Sequence, residues 1–354
     1  MDDKKPFGTH PFESRSIKIQ YAPADQGGTS FHWLWLPAKL LNDRGVDAVV
    51  DRQFRVDRDI LIIQRQLNPA VIGGIKHIQA QGIPVFYWIE DQTWLLPFTS
   101  PVRKEYTPKA QADMFKIIKA CDGVLCSSEV LANFLRRAHP NVHVLPHIML
   151  KKWYKTTRSR TKRKDKDVRI LWTTTAHHHH DFNVVEHALS DVAQGYENIK
   201  IIMWGYMTRR LSEMIPPSKL EYYGWIPVDH YYRTLASMEA DIAIAPLDSD
   251  SIYNKAKTPL KFLEYGLMKY CPVVSNVEPY SCVKHMETGW VVRKNKHKYW
   301  KDALCTLIED KDLRTKLADN AHKWVWENHT DSRIDDYVRI YESEITKKKK
   351  EANS

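Results

Sequence analysis

Between Ala240 and Asn276 the chain reads ADIAIAPLDSDSIYNKAKTPLKFLEYGLMKYCPVVSN, and its charged residues fall at helical intervals. Lys257, Lys261, Glu264 and Met268 are spaced four, three and four apart, which puts them on one helical face. Leu260, Leu263 and Leu267 make a separate apolar stripe that would bury the helix. Thr258 followed by Pro259 predicts its start, with the hydroxyl at the cap and proline at the first helical position. Lysines beside a helix N-terminus form an anion site suited to a diphosphate, because unpaired backbone N–H groups point outward there. A carboxylate one turn further on can accept two hydroxyl hydrogen bonds from a diol. A solvent-facing Lys261–Glu264 ion pair, worth roughly 0.2–0.5 kcal/mol, explains the same spacing.

A second stretch, WTTTAHHHHDFNVVEHALSDV from Trp172, carries four consecutive histidines between an apolar run and a helical pattern that Asp181 can cap. Imidazole N–H groups at such a turn can stabilise growing negative charge, which marks His178 as a candidate and Thr174 as its neighbour in a binding turn. Histidines two or three apart also chelate, but no CxxC, HExxH or carboxylate cluster accompanies these, so no metal is expected. In YYGWIP, the ring and backbone of Trp225 and the backbone of Ile226 suit a planar ligand; a buried strand-end tryptophan is the plainer alternative. Gly27 and Gly28, in APADQGGTSFHW, allow close backbone approach to a ligand or only a permissive turn. Glu90 and Asp91, in FYWIEDQTWLLP, suit orientation or deprotonation of a hydroxyl, or capping and turn formation.

These side chains need elements to hold them. Apolar runs SIKIQYAP, DILIIQRQ, IPVFYWIE, GVLCSSE and VHVLPH alternate with helical patterns in the first half. After KKWYKTTRSRTKRKDK, where nine of sixteen residues are basic, the alternation restarts with VRILW, IKIIMWG, KLEYYG, DIAIAPL, PVVSN and GWVVR. Strand–helix repetition with short connections predicts parallel sheets covered on both faces. The expected fold class is therefore α/β, with two Rossmann-like doubly wound domains facing across a cleft. The expected boundaries are a first domain at 1–150, a basic linker at 151–167, a second domain at 168–330, and at 331–354 a helix packing back toward the first domain with TKKKKEANS as a frayed tail.

A hydrophobic fraction of 43% with 13 Gly and 18 Pro in 354 residues argues against disorder. No window reaches the roughly 18 apolar residues of a membrane span, and no signal peptide is evident, so a cytoplasmic location is expected. The five cysteines are odd in number and lack CxxC, as expected of reduced thiols. A net charge of +10 favours polyanions or an anionic surface.

The succession DIAIAPL, polar loop, YNKAKTPLKFLEYG and PVVSN resembles the donor-binding half of GT-B fold glycosyltransferases, in particular the family 4 group (glycosyl transferases group 1). The resemblance runs from about Val168 to Asn328. It implies a nucleotide-sugar donor bound between two domains without metal or other cofactor, with retention at the anomeric carbon. It places Glu264 on the ribose, Lys257 and Lys261 on the phosphates, and the Trp225–Ile226 loop at the base. Where many members carry a second glutamate, eight residues before the first, this chain has Ala256. Trp172, His178 and Asp181 match a tryptophan and an HxxD of some bacterial and phage members. A glycine-rich loop at Gly27–Gly28 and an acidic pair at Glu90–Asp91 are common on the acceptor side. The acceptor implied is a surface glycan or lipid-linked sugar, or else a hydroxymethylated DNA base, with Trp33, Trp35, Trp88 and Trp94 available to stack it. A catalytically silent glycan or nucleic-acid binder and a nucleotide-sugar epimerase are the alternatives.

Overall fold

The computed structural model describes residues 17–155 and 166–352. The chain begins with β1 (Lys18–Ala22), then a helical stretch of α1 (Gly28–Ser30), a π-helical turn (Phe31–Trp35) and α2 (Leu36–Asn42). There follow β2 (Asp47–Val50), β3 (Ile60–Gln64), α3 (Val71–Ala80), β4 (Val85–Ile89), α4 (Pro108–Ala120), β5 (Gly123–Cys126), α5 (Glu129–Leu135) and β6 (Val142–Val144). After α6 (Lys151–Lys155) come β7 (Val168–Thr174), α7 (Phe182–Gly195), β8 (Ile199–Gly205), α8 (Arg209–Met214), β9 (Leu220–Tyr223), α9 (Val228–Ser237) and β10 (Ile242–Ala245). The remainder is α10 (Ile252–Lys255), α11 (Leu260–Leu267), β11 (Cys271–Ser275), β12 (Trp290–Val292), α12 (His297–Glu309), α13 (Lys311–Asn328) and α14 (Ile334–Ala352).

The strands form two parallel six-stranded sheets, in the orders β2-β1-β3-β4-β5-β6 and β12-β11-β10-β7-β8-β9. This is the expected pair of doubly wound α/β domains. The central strands β3, β4, β5, β10 and β11 are buried along their whole length, which is why they read as unbroken apolar runs. Strand order reverses between β1 and β3 in one sheet and between β7 and β10 in the other, and ligands of such sheets bind at those crevices. The sequence patterns missed β2: it is a four-residue edge strand with only Ala48 buried, too short to show a period.

The last helix completes the first domain. Tyr337, Tyr341 and Ile345 of α14 pack in one cluster with Ile19, Ile62 and Phe86. The hydroxyls of Tyr341 and Tyr21 lie 3.1 Å apart, and Glu344 accepts from Asn141 Nδ2 at 3.0 Å and contacts His143 Nε2 at 2.9 Å. The expected frayed tail is mostly helix: α14 continues to Ala352, held by Lys348 against Asp122 at 2.5 Å. The basic linker begins as the helix α6, and its residues 156–165 lie outside the described residues. No helix of the described residues is long and apolar enough to cross a membrane. Cys121, Cys126 and Cys271 are buried free thiols, and Cys282 and Cys305 are partly exposed free thiols.

Candidate active site

A cavity of about 620 Å³ lies between the domains, lined by the segments that follow β1, β4 and β6 on one side and by the ends of β7 and β8 and the segments that follow β7, β9, β10 and β11 on the other. Its volume is that of a small-molecule site. Gly27, Gly28, Glu90, Asp91, Thr174 and His178 all line it, as do Trp225, Ile226, Lys257, Thr258, Lys261 and Glu264.

The second-domain wall is built on α11. Its carboxylate is not at the surface: Glu264 is 1% exposed. Lys261 Nζ donates to Glu264 Oε2 at 2.9 Å and to the Tyr231 hydroxyl at 3.2 Å, and that hydroxyl donates to Oε2 at 3.0 Å. The Tyr232 hydroxyl lies 3.4 Å from Oε1. Burial alone would lower the Lys261 pKa, but attraction to Glu264 raises it above the ordinary lysine value, so the ammonium persists. The pair is therefore a buried ionic cluster, unlike the solvent-facing pair that spacing alone allowed. Thr258 does not cap the helix. Pro259 occupies the N-cap and no side chain bonds the first turn, so the Thr258 hydroxyl falls one residue too early. Lys257 lies over the Tyr253 ring, its nitrogen 4.8 Å from the centroid. Ala256, which stands where the family resemblance implies a second glutamate, is fully buried, and its carbonyl accepts from Ser128 Oγ of the first domain at 2.7 Å.

The histidine run is a 3₁₀ turn, Ala176–Asp181, between β7 and α7. Asp181 occupies the N-cap of α7 without making a capping bond. Its buried carboxylate turns inward instead. Oδ1 accepts from the Asp248 backbone N–H at 2.6 Å and from Asn254 Nδ2 at 2.9 Å, and Oδ2 lies 2.7 Å from His178 Nδ1. Burial and then the Lys257 charge lower the His178 pKa, against the pull of Asp181. His179 contacts the Tyr206 hydroxyl at 2.8 Å and His180 is exposed. Among the described residues no group of three or more His, Cys, Asp or Glu converges to hold a metal.

Gly205, at the end of β8, has φ +102°, and a Cβ there would lie 2.1 Å from the Thr174 carbonyl oxygen. Only glycine allows this contact, which sets the end of β7 beside the cavity. Trp225 is 80% exposed at the cavity rim, contrary to a buried strand-end tryptophan. Its loop is braced from below by Trp204, whose Nε1 donates to the Gly224 carbonyl at 3.0 Å while its ring stacks on Tyr231.

On the first-domain wall, Glu90 Oε1 pairs with Arg65 Nη1 at 3.0 Å, and Arg65 also pairs with Asp25. Asp25 Oδ1 in turn accepts from the Gly27 N–H and from Ser30 Oγ, each at 2.7 Å, tying the glycine loop to the acidic site. Burial raises the Glu90 pKa to about 7, opposed by Arg65 and aided by Asp91. His32 and His147 line the same wall, 5.6 Å apart between ring centres, each with a buried Nδ1 that bonds nothing among the described residues. Burial takes His32 down to about 3 and His147 well below its ordinary value, so this surface is polar but uncharged. Three of the four tryptophans considered for stacking a base are held by other rings, although Trp33 also lines the cavity. Trp33 and Trp88 are buried against one another at 4.5 Å, and Trp94 packs on Phe115.

Residues 154–324 match the family model for glycosyl transferases group 1. This part of the chain is therefore similar to that family. The matched segment takes in all the cavity-lining residues of the second domain, from Thr173 to Tyr280. The two domains together have the GT-B fold of solved glycosyltransferases. HepE of Anabaena, solved with UDP, is 12% identical, with 93% of this chain and 100% of that one covered and a TM-score of 0.65. A glycosyltransferase of Rickettsia africae is 16% identical over 94% and 99% (TM-score 0.64). Sucrose-phosphate synthase of Thermosynechococcus elongatus is 12% identical over 94% and 100% (TM-score 0.67). No curated protein matches the chain.

Several lining or supporting residues of this site carried no sequence signal. Tyr231 and Tyr232 sit in an ordinary amphipathic helix, and His32 lies in the π-helical turn, whose widened backbone no pattern announces. Arg65 was findable: it follows β3 directly, at a strand end beside the reversal point.

Proposed function

We propose that the chain transfers a sugar from a nucleoside diphosphate sugar to a hydroxyl of a glycan or lipid-linked sugar, without a metal and with retention. The observation that carries this is the buried Lys261–Glu264 cluster at the start of α11, open to the interdomain cavity. Lys257, Lys261 and the free N–H groups of α11 provide the positive charge that a departing diphosphate needs. Glu264 is an acceptor-only group suited to a ribose diol, and the Trp225–Ile226 loop suits the base. Gly27 and Gly28 line the opposite wall beside the sugar. Asp91 or Glu90 takes the proton of the attacking hydroxyl as the new C–O bond forms on the same face that the diphosphate leaves, which keeps the anomeric configuration. The uncharged polar surface of His32 and His147 suits a polyol. The +10 charge supports a second acceptor, hydroxymethylated DNA, although Trp33 and Trp88 are not free to stack a flipped base.

The test is a panel of nucleotide sugars read by thermal shift and by hydrolysis without acceptor. One donor should stabilise and turn over, and Glu264→Ala or Lys261→Ala should reduce its turnover by about 100-fold or more. A panel that neither binds nor turns over would leave a silent binding protein, and an isomerised sugar found by NMR would mark an epimerase. Duplex DNA binding titrated against salt separates the acceptors, and no affinity at low salt removes DNA.

A further inference from the structure

His178 is held by a chain of hydrogen bonds crossing the reversal point of the second sheet. The Asp248 N–H, after β10, and Asn254 Nδ2, on α10, both donate to Asp181 Oδ1, and His178 Nδ1 meets Oδ2. A carboxylate gathering three partners is an acceptor, so the imidazole proton sits on Nδ1. Burial and the positive charges of Lys257 and Lys261 oppose a second proton, leaving Nε2 as a bare lone pair. Nε2 meets no hydrogen-bonding partner among the described residues, nor is it among the sealed, unpaired buried atoms, and His178 lines the cavity.

A bare nitrogen repels phosphate oxygen and accepts from a hydroxyl. Its polarity is opposite to the N–H donor role expected from the histidine run. We propose that His178 Nε2 accepts a hydrogen bond from a hydroxyl of the donor's sugar, with Asp181 and Asn254 as positioning residues, so that this site selects sugars bearing that hydroxyl. The proposal rests on the nucleotide-sugar reading of the cavity, but the state of the imidazole can be tested without any ligand.

Histidine ring-nitrogen NMR on the full chain should show His178 protonated at Nδ1 and bare at Nε2 at neutral pH. A proton on Nε2 instead overturns the proposal. Asp181→Asn supplies the decisive variant. Its amide oxygen must keep serving Asp248 and Asn254, which turns the NH₂ toward His178 and moves the imidazole proton to Nε2. UDP, GDP, ADP and dTDP, alone and as glucose conjugates, are then titrated against wild type, Asp181→Asn and His178→Ala. Expected is a loss of about tenfold or more in affinity or turnover for the conjugate, with the diphosphate alone changed by less than about threefold. Equal losses for the diphosphate and its conjugate would return His178 to the phosphates and overturn the proposal. If no compound binds the wild type, the nucleotide-sugar reading fails and the sugar contact with it, while the NMR result still decides the tautomer.

Discussion

Glu90 shows how burial sets the chemistry of one side chain. Its folded pKa, about 7, lies above the ordinary 4.5. The folded protein therefore keeps its proton while the unfolded chain loses it, so stability contributed at low pH is lost as pH rises from about 4.5 through about 7. Glu90→Gln removes that slope. In urea melts at pH 5 and pH 8 the wild type should lose on the order of 3 kcal/mol more than the variant. A variant whose slope matches the wild type means that Glu90 titrates normally. Lys261→Met tests the opposite wall: stranding the buried Glu264 should cost about 3–5 kcal/mol in the same melts. The charged residues that line the cavity were visible in the sequence because helical spacing and strand ends put acids and bases where chemistry needs them. What the spacing could not convey was burial, and burial turned a surface ion pair into the cluster with Tyr231 and Tyr232. Asp181 sits at its N-cap without making the capping bond and Thr258 lies one residue before the cap, since a competing partner or a shifted helix start has no trace in local sequence.

Elements were more legible than caps, because a strand buried on both faces shows as an apolar run wherever it occurs, and β2 escaped for want of burial. Two contacts between elements carry more than their length suggests. Gly205→Ala would drive a methyl into the Thr174 carbonyl and force a residue with φ +102° into strain. The variant should lose roughly 2–4 kcal/mol and, because the end of β7 lines the cavity, also weaken donor binding, both measurable by thermal shift with and without nucleotide. Tyr341→Ala on α14 would open a cavity beneath β1 and strand the Tyr21 hydroxyl. A loss of about 3–5 kcal/mol in denaturant unfolding is expected; a near-neutral result means that α14 is not part of the first core.

At the scale of the molecule, the domains meet around α10. Asn254 faces Asp181 behind the histidine turn, while Tyr253 reaches Asp91 and Ser128 bonds Ala256, both across the domain boundary. Tyr253→Phe with Ser128→Ala should loosen this seam, giving a larger radius of gyration by small-angle scattering without nucleotide and a smaller difference with it. No change in either state would show that the domain arrangement is held elsewhere. The return of α14 has a further consequence, for biosynthesis. A ribosome releases the first sheet early, yet the helix that covers one of its faces emerges only after the whole second domain has been made. The later-made half can therefore finish folding first, and the earlier-made half must wait with the cluster of Ile19, Ile62 and Phe86 covered only in part, by residues 33–41. A released chain truncated near residue 330 should hold a protease-resistant second domain beside a first domain that is still cut, which makes the docking of α14 a late step in folding of the first domain.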